Sequence, residues 1–303
     1  MPATLELMQQ IVARHAALGL DSNADPQALP VDDSPRAISY AAARRLGFIP
    51  ADAEVVARAW QRQSDRTGCF DPESWPREQA DFGIPSGPRP DAFAPCPPRL
   101  GLYAVLPSAE WVGRMARAGL PTVQLRFKSQ DAAAVRAEIR AAVEAVRGSS
   151  SLLFINDHWR EAIAAGAYGV HLGQEDLDTL STSELAEMRH AGLRLGLSTH
   201  GYAEMLRADA VRPSYLALGA VFPTTLKAMV TPPQGTGRLQ AYARLMRQRS
   251  LVAIGGIGAE QLPEVAASGV GSFAVVRAIT GAADPEAAAA ALRQAWAALP
   301  TEI

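Results

Sequence analysis

The sequence predicts an α/β fold: a (β/α)8 TIM barrel over residues 100–303, preceded by a small, mostly helical, proline-rich extension over residues 1–99. Two observations predict this division. Thirteen of the 22 prolines lie before residue 100, whereas eight short apolar runs alternate with amphipathic segments after it. Buried strands joined by helices pair in parallel, and eight such units are the number that closes a barrel.

Composition limits the classes of protein that the chain can belong to. Its 303 residues are 48% hydrophobic and 20% charged, which is enough to bury a full core. A net charge of −2 disfavours nucleic-acid binding through a basic surface. No apolar run reaches the roughly 18 residues of a membrane span, and the N-terminus lacks a signal peptide's apolar segment, so we expect a cytoplasmic protein. Cys69 and Cys96 have no metal-ligand spacing and are expected to be free thiols.

Two helical patterns occupy the extension. One covers Leu5–Ala17, and the other covers Ile38–Gln63 with a new helix starting after Pro50. The proline-rich stretches around them are interpreted as turns and extended linker. The extension contains no catalytic signature, so we expect residues 100–303 to be active without it.

The barrel elements follow in order. The clearest helix is predicted over 132–147, with Asp131 as its N-cap and Gly148 just beyond its end. An open doubly wound sheet is the alternative, but no GxGxxG motif follows any strand and eight strands favour the barrel. The predicted strands are Leu102–Leu106, Thr122–Arg126, Leu152–Asn156, Gly169–Leu172, Arg194–Ser198, Tyr215–Ala220, Leu251–Gly255 and Phe273–Val276.

Lysine is rare in this chain, because 27 of the 29 basic residues are arginines. The two lysines, Lys128 and Lys227, both follow predicted strands, and the carboxyl ends of barrel strands form the active site. An ammonium is a compact point charge on a flexible stem, which a planar guanidinium does not replace. We therefore interpret both lysines as functional.

Two carboxylates follow neighbouring strands. Asp157 and Asp176 could hold one Mg²⁺ and leave coordination places for substrate oxygens. Arg126, Lys128 and Lys227 would surround that ion with positive charge, which is typical of a diphosphate site. The alternative is that each aspartate only caps the helix that follows it.

A second anion site is predicted at Gly255 and Gly256, together with the start of the helix after the eighth strand. Thr224 and Thr225 could donate hydrogen bonds to the same phosphate. His200 has no evident acidic partner, which argues against a nucleophile–base pair with Ser198. His171 is interpreted as a histidine packed inside the barrel.

At these positions the chain resembles the thiamine phosphate synthase (thiamine-phosphate pyrophosphorylase) family. The resemblance implies a Mg²⁺-dependent barrel transferase that joins 4-amino-2-methyl-5-hydroxymethylpyrimidine diphosphate to a thiazole phosphate and releases pyrophosphate through a dissociative, pyrimidine-cation mechanism. Its partners would be these small molecules, with neither nucleic acid nor membrane; oligomeric state is not predicted. The stretches that carry the resemblance are VQLRFK (123–128), FINDHWREAIAAGAYGVHLGQEDL (154–177), LGLSTH (195–200), ALGAVFPTTLK (217–227), VAIGGI (252–257) and AVVRAI (274–279).

The resemblance also implies a role for each matching residue. Asp157 and Asp176 would hold Mg²⁺, and the catalytic residues would be Arg126, Lys128, Ser198 and Lys227. One position departs from the family pattern, because Leu226 stands where a second threonine is usual, with Thr225 as its candidate replacement. The pyrimidine diphosphate would contact Gln124, Arg126, Lys128, Asn156, Ser198 and Lys227, and the thiazole phosphate would contact Thr224, Thr225, Gly256, Val276 and Arg277.

Two alternatives share this barrel. One is a thiazole tautomerase with His200 as the proton-transfer residue, and the other is a non-catalytic regulatory barrel that binds a thiazole phosphate. The charged set around Asp157 and Asp176 favours the synthase, since neither alternative needs it. We expect Asp157→Ala and Lys227→Ala each to lower kcat at least about a hundredfold.

Overall fold

The computed structural model describes residues 2–87, 89–224 and 231–300. Eight parallel strands pair in chain order, and the last pairs with the first, so the sheet is a closed barrel. This confirms the predicted fold, and every predicted strand ends within one residue of the observed end. The strands are β1 Gly101–Leu106, β2 Thr122–Leu125, β3 Leu152–Asn156, β4 Gly169–Leu172, β5 Arg194–Thr199, β6 Tyr215–Gly219, β7 Leu251–Ile254 and β8 Ser272–Val275.

The helices lie in the extension and around the barrel. The predicted cap of α5 is confirmed, because the Asp131 carboxylate accepts from the backbone N–H of Ala133 at 2.8 Å. Among the described residues, none of the helices has the length and apolar character that a bilayer span requires. The helices are α1 Pro2–Arg14, α2 Pro35–Arg45, α3 Pro50–Thr67, α4 Ala109–Arg117, α5 Ala132–Ala145, α6 Trp159–Ala165, α7 Gln174–Thr179, α8 Thr182–His190, α9 Tyr202–Ala210, α10 Gly235–Leu245, α11 Leu262–Ala267, α12 Arg277–Thr280 and α13 Pro285–Ala297.

The extension packs against the outside of the barrel around α9 and α10. Its buried side chains belong to the same hydrophobic cluster as the layer between the strands and the barrel helices. The contact is aromatic: Trp75 donates its indole N–H to the Tyr202 hydroxyl at 3.0 Å, and the rings of Phe82 and Tyr202 stack with centroids 5.1 Å apart. Extension and barrel therefore share one core.

The proline-rich run before β1 is extended, as expected, but it is held along the barrel and is not a free linker. The backbone N–H of Phe93 donates to the carbonyl of Arg212 at 3.0 Å, and the Ser214 hydroxyl donates to the carbonyl of Ala94 at 2.6 Å. Proline cannot donate to a sheet, so the run satisfies its polar groups through such isolated contacts. Both cysteines are free thiols, as predicted.

A buried arginine ties α10 to the extension. Arg238 is only 2% exposed, and its guanidinium donates to the backbone carbonyls of Leu18 and Leu46 at 2.9 and 3.0 Å. The same group lies 3.8 Å from the ring centroid of Phe48. A buried cation needs such partners, and here the extension supplies all three.

A buried carboxylate makes a second tie. Asp209 at the end of α9 pairs with Arg89 of the extension and with Arg249, whose Nε lies 2.8 Å from the carboxylate. Burial of Asp209 tends to raise its pKa, but the hydrogen bonds from Arg89 and Arg249 outweigh that effect and lower it. The ionised form is therefore the one that stabilises the native state.

We expect Asp209→Asn to lower the free energy of unfolding by about 3 kcal/mol at neutral pH, because two partly buried arginines lose their counter-charge. Since the pKa of Asp209 is lowered on folding, the difference in unfolding free energy between the two proteins reaches its full size above the ordinary aspartate pKa. It shrinks as the pH falls through the pKa of the folded state. Urea unfolding at several pH values measures it. The matched control is Asp91→Asn, which breaks the exposed pair with Arg212 and should cost less than about 1 kcal/mol. Equal costs for the two variants would contradict the assignment.

Candidate active site

The carboxyl ends of the eight strands meet at one rim, because all strands run in the same direction. Two predicted residues form an amide pair there. Gln124 near the end of β2 is 4% exposed, and its Nε2 donates to Oδ1 of Asn156, the last residue of β3, at 2.8 Å. The pair presents fixed amide groups towards the mouth of the barrel.

Lys128 and Asp157 form the charged part of the rim. The Lys128 ammonium lies 2.9 Å from the Asp157 carboxylate, although neither side chain is buried. Asp157 directly follows β3 with a left-handed backbone, φ 68°, and its N–H donates to the carbonyl of His171 in β4 at 3.0 Å. Aspartate is one of the few residues that tolerate this conformation. Arg126 directly follows β2, two residues before Lys128, and it is exposed.

Asp176 lies in the first turn of α7, directly after β4. Its carboxylate accepts from the backbone N–H of Gly173 at 2.7 Å. Burial raises the pKa of Asp176, and the negative charges of Asp157 and Glu175 raise it further. The hydrogen bond from Gly173 lowers the pKa but does not cancel this shift. The alternative that each aspartate only caps a helix therefore holds in part for Asp176, because its carboxylate binds the backbone at the start of α7. It does not apply to Asp157, since the N-cap of α6 is His158 and the Asp157 carboxylate contacts Lys128.

The two carboxylates suit a small, hard cation. In the described part of the chain, no group of three or more histidine, cysteine, aspartate or glutamate side chains could hold a metal. Mg²⁺, however, is commonly bound through one or two carboxylates while substrate phosphates and water complete its shell. Asp157 lies near enough to raise the pKa of Asp176, and a divalent cation between them would relieve that repulsion. The donor set fits Mg²⁺.

A column of hydrogen bonds crosses the barrel interior beneath the rim. His171 Nε2 lies 2.8 Å from the Ser198 hydroxyl, and His171 Nδ1 lies 2.7 Å from the Tyr215 hydroxyl. The Tyr215 hydroxyl lies 2.8 Å from that of Tyr103. The interpretation of His171 as a packing residue was therefore incomplete. It stacks on Tyr215, but it also orients Ser198, one of the predicted site residues.

We expect Tyr215→Phe to destabilise the protein by about 2 kcal/mol, because the buried Tyr103 hydroxyl and His171 Nδ1 both lose the Tyr215 hydroxyl as hydrogen-bond partner. Tyr103→Phe removes the end of the same column and leaves the Tyr215 hydroxyl its hydrogen bond with His171 Nδ1, so its cost should be about half as large. Thermal or urea unfolding of both variants measures the difference. Equal losses of unfolding free energy in Tyr103→Phe and Tyr215→Phe would contradict this account of the hydrogen-bond column.

The loop after β5 brings His200 to the rim with an acidic partner that the sequence interpretation missed. His200 Nδ1 lies 2.6 Å from Glu204 Oε2, which also accepts the backbone N–H of His200 at 2.9 Å. The expectation that His200 lacks an acid was wrong, and the i,i+4 spacing was the available signal. The extension braces this loop, because the Asp52 carboxylate accepts from the N–H of Ala203 at 2.8 Å.

Gln174 is a further rim residue to which sequence reasoning assigned no role. Its Nε2 donates to the backbone carbonyl of Ser198 at 2.8 Å, which links the ends of β4 and β5. Its Oε1 is buried and has no hydrogen-bond partner among the described residues. Buried polar atoms are almost always paired, so this oxygen is a candidate acceptor for a substrate group.

Two glycines after β7 lie against the loop that follows β6. Gly255 and Gly256 have φ values of 103° and 67°, and a Cβ on Gly256 would lie 2.6 Å from the carbonyl of Pro223. Only glycine permits this approach, which places the turn next to the half-buried Thr224. Val276 precedes α12, and Arg277 is the exposed first residue of that helix. Thr225, Leu226 and Lys227 lie outside the described residues.

The comparisons with known proteins match the barrel part of this chain. The family model described as thiamine monophosphate synthase matches residues 102–279. A thiamine-phosphate synthase of Neisseria meningitidis serogroup B is 53% identical over 204 residues, which are 67% of this chain and 98% of that protein. The enzyme of the same name from Cronobacter sakazakii is 53% identical over 63% of this chain and 90% of its own length.

One solved structure supports both fold and family. Thiamine phosphate pyrophosphorylase from Pyrococcus furiosus is 29% identical, with a TM-score of 0.57, over 65% of this chain and 96% of that one. The extension precedes the family match, so the similarity covers the barrel.

Proposed function

The chain belongs to the thiamine monophosphate synthase family and is an enzyme of thiamine phosphate synthesis, and from this premise we propose that it joins a hydroxymethylpyrimidine diphosphate to a thiazole phosphate and releases pyrophosphate. The observation that carries the proposal is the contact of Lys128 with Asp157 at the mouth of the barrel, beside Asp176. Cations and paired carboxylates at one rim suit a departing diphosphate bound with a hard metal ion.

The diphosphate end of the site is assigned to the charged rim residues. Arg126 and Lys128 bind the diphosphate oxygens, together with Lys227 as the resemblance implies. Asp157 and Asp176 would hold Mg²⁺, which supplies charge neutralisation to the leaving group when bound. The lysine ammonium and the arginine guanidinium stabilise negative charge as it develops on the departing oxygen.

The pyrimidine ring is assigned to the mouth of the barrel. The amide pair of Gln124 and Asn156 orients its ring nitrogens and amino group, and Ser198, fixed by His171, contacts the same ring. The bond from the benzylic-type carbon to oxygen breaks, and the diphosphate leaves with the electron pair. The thiazole nitrogen then donates its lone pair to that carbon, forming the new carbon–nitrogen bond. The protein contributes positioning and exclusion of water, with no covalent intermediate.

The thiazole phosphate is assigned to the opposite side of the rim. Gly256 and Val276 offer backbone N–H groups there, and Arg277 adds a guanidinium suited to a phosphate. Thr224 donates from the neighbouring loop, with Thr225 beside it in sequence. This arrangement would aim the thiazole nitrogen across the rim at the pyrimidine carbon.

A second candidate reaction is thiazole tautomerisation. The observation that favours it is the pair of His200 and Glu204, because a carboxylate on Nδ1 leaves Nε2 to transfer a proton. The charged rim around Lys128 and Asp157 favours condensation, since an isomerase of the thiazole needs no diphosphate site.

An omission assay distinguishes the two reactions. The full chain is incubated with both substrates and Mg²⁺, and with each component left out in turn, while thiamine phosphate and thiazole isomers are separated chromatographically. We expect thiamine phosphate only in the complete mixture. Conversion of one thiazole isomer into another without the pyrimidine diphosphate, and no thiamine phosphate in the complete mixture, would overturn the proposal in favour of tautomerisation.

A further inference from the structure

A cavity opens at the end of the barrel opposite the rim. It has a volume of about 780 Å³. Its lining includes Ser214, Ser250 and Gly271, the residues that immediately precede β6, β7 and β8. The amino ends of parallel strands lie at the face opposite their carboxyl ends, so the cavity is separated from the candidate active site by the length of the barrel.

The lining of this cavity is strongly basic. It contains no aspartate or glutamate but six arginines: Arg89, Arg99, Arg212, Arg244, Arg247 and Arg249. The chain as a whole carries a net charge of −2, so the lining of this cavity is more basic than the chain average. A charged cleft with low-dielectric walls focuses its field on a ligand of opposite sign.

Neighbouring carboxylates neutralise only part of this charge. The single charge of Asp209 is shared between Arg89 and Arg249, and Asp91 pairs with Arg212. Within the described residues, no ion pair involves the other three arginines, all of which are exposed: Arg99, Arg244 and Arg247. The cavity therefore keeps a surplus of positive charge.

Part of the wall is held rigidly. Asp209 fixes the guanidinium groups of Arg89 and Arg249, which are less than one-fifth exposed. Phe93 and Trp296 supply apolar lining beside them. Arg89 uses both terminal nitrogens on Asp209, whereas Arg249 donates to Asp209 through Nε, which leaves its terminal nitrogens for phosphate oxygens. Fixing that guanidinium beforehand lowers the entropic cost of binding.

The extension builds one side of this cavity. Arg89, Phe93 and Arg99 all precede residue 102, where the match to the family begins. The family model begins at residue 102, so these three residues lie outside the part of the chain that it matches. A function of the cavity would therefore belong to this chain's addition to the barrel.

We propose that the cavity binds a small molecule carrying two or more phosphates, such as a nucleoside triphosphate, at a site separate from the catalytic rim. The volume lies within the range of roughly 300–1,000 Å³ that small-molecule sites occupy. The surplus of arginines calls for a ligand with several negative charges. A long nucleic acid is disfavoured, because a cavity of about 780 Å³ suits a small molecule and the chain as a whole carries a net charge of −2.

The test is calorimetric titration of the full chain with ATP at about 50 mM salt and with a chelator present, since screening weakens such contacts. We expect one saturable site that weakens at least about tenfold in Arg244→Glu/Arg247→Glu, because two phosphate contacts become repulsive. The matched control is Arg136→Glu/Arg140→Glu on α5, which makes the same charge change at exposed positions away from the cavity. The control should bind ATP as the unaltered protein does.

Further titrations identify the recognised group. Inorganic triphosphate binding as tightly as ATP would support recognition of phosphates alone, and tighter ATP binding would support added contacts of the nucleoside with Trp296. Arg244→Gln/Arg247→Gln repeats the test without charge reversal, with an unchanged unfolding midpoint as evidence of folding. The proposal is overturned by absence of saturation, by equal weakening in the α5 control, or by a loss that follows Arg126→Ala instead. Tighter binding of a single-stranded RNA than of ATP would also overturn it.

Discussion

Asp157→Ala is expected to lower kcat at least about a hundredfold with the fold kept, equivalent to about 2.7 kcal/mol of transition-state stabilisation. The Asp157 carboxylate lies 2.9 Å from the Lys128 ammonium, and its negative charge raises the pKa of Asp176. Without it, the proposed Mg²⁺ site keeps one carboxylate and Lys128 loses its orientation. Steady-state formation of thiamine phosphate at saturating substrates measures the effect.

Two controls separate chemistry from backbone effects. Asp157 has a φ of 68°, where alanine is strained, so Asp157→Asn removes the charge with a residue that tolerates this conformation. Asp178→Ala removes a nearby exposed carboxylate of α7 that pairs with Arg207, and it should leave kcat within about twofold. If Asp157→Asn keeps kcat within about threefold, the assigned role is wrong. The sequence-based prediction for Lys227→Ala stands as an independent second test.

The second large effect concerns the extension. Residues 100–303 produced alone are expected to aggregate, or to unfold at least about 10 °C lower than the full chain, since a loss of several kcal/mol has that effect. Removing the extension uncovers the buried ring of Tyr202, which packs against Phe48 and Phe82, and leaves Arg238 without the carbonyls of Leu18 and Leu46. Thermal unfolding and size-exclusion chromatography measure this.

This expectation reverses the one drawn from sequence alone, in which the barrel acts without the extension. Co-expression of residues 1–99 as a separate chain is the control, and it should restore solubility and thiamine phosphate formation to residues 100–303. A soluble barrel fragment with the unfolding midpoint and kcat of the full chain would show that the shared core contributes little.

The barrel and most of its rim could be predicted because their signals are local. Apolar runs predicted each strand end to within one residue, and the position of Asp157 and Asp176 after neighbouring strands brings them to one rim in any parallel barrel. The contact of Lys128 with Asp157 then depends only on which strands are adjacent.

The interior column could not be predicted, because it depends on which inward-facing residues meet across the barrel. Alternation places His171 inside, but its contacts with Ser198 and Tyr215 join three different strands. Glu204 is a different case, since its spacing from His200 was visible in the sequence and was overlooked.

The packing of the extension could not be predicted from the sequence for a further reason. Prolines mark where regular secondary structure stops, and they carry no information on what a segment packs against. The ties of Arg238 to Leu18 and of Arg89 to Asp209 join residues far apart in the chain, so no local pattern reports them.

The most direct test of a metal-dependent diphosphate site at the rim is calorimetric titration of the chain with inorganic pyrophosphate, with and without Mg²⁺. The Arg244→Glu/Arg247→Glu variant is the suitable background, because it weakens the basic cavity as a competing site. We expect binding at least about tenfold tighter with Mg²⁺ than without it, and loss of that gain in Asp157→Asn. Equal affinity with and without Mg²⁺, or a full gain in Asp157→Asn, would contradict the account.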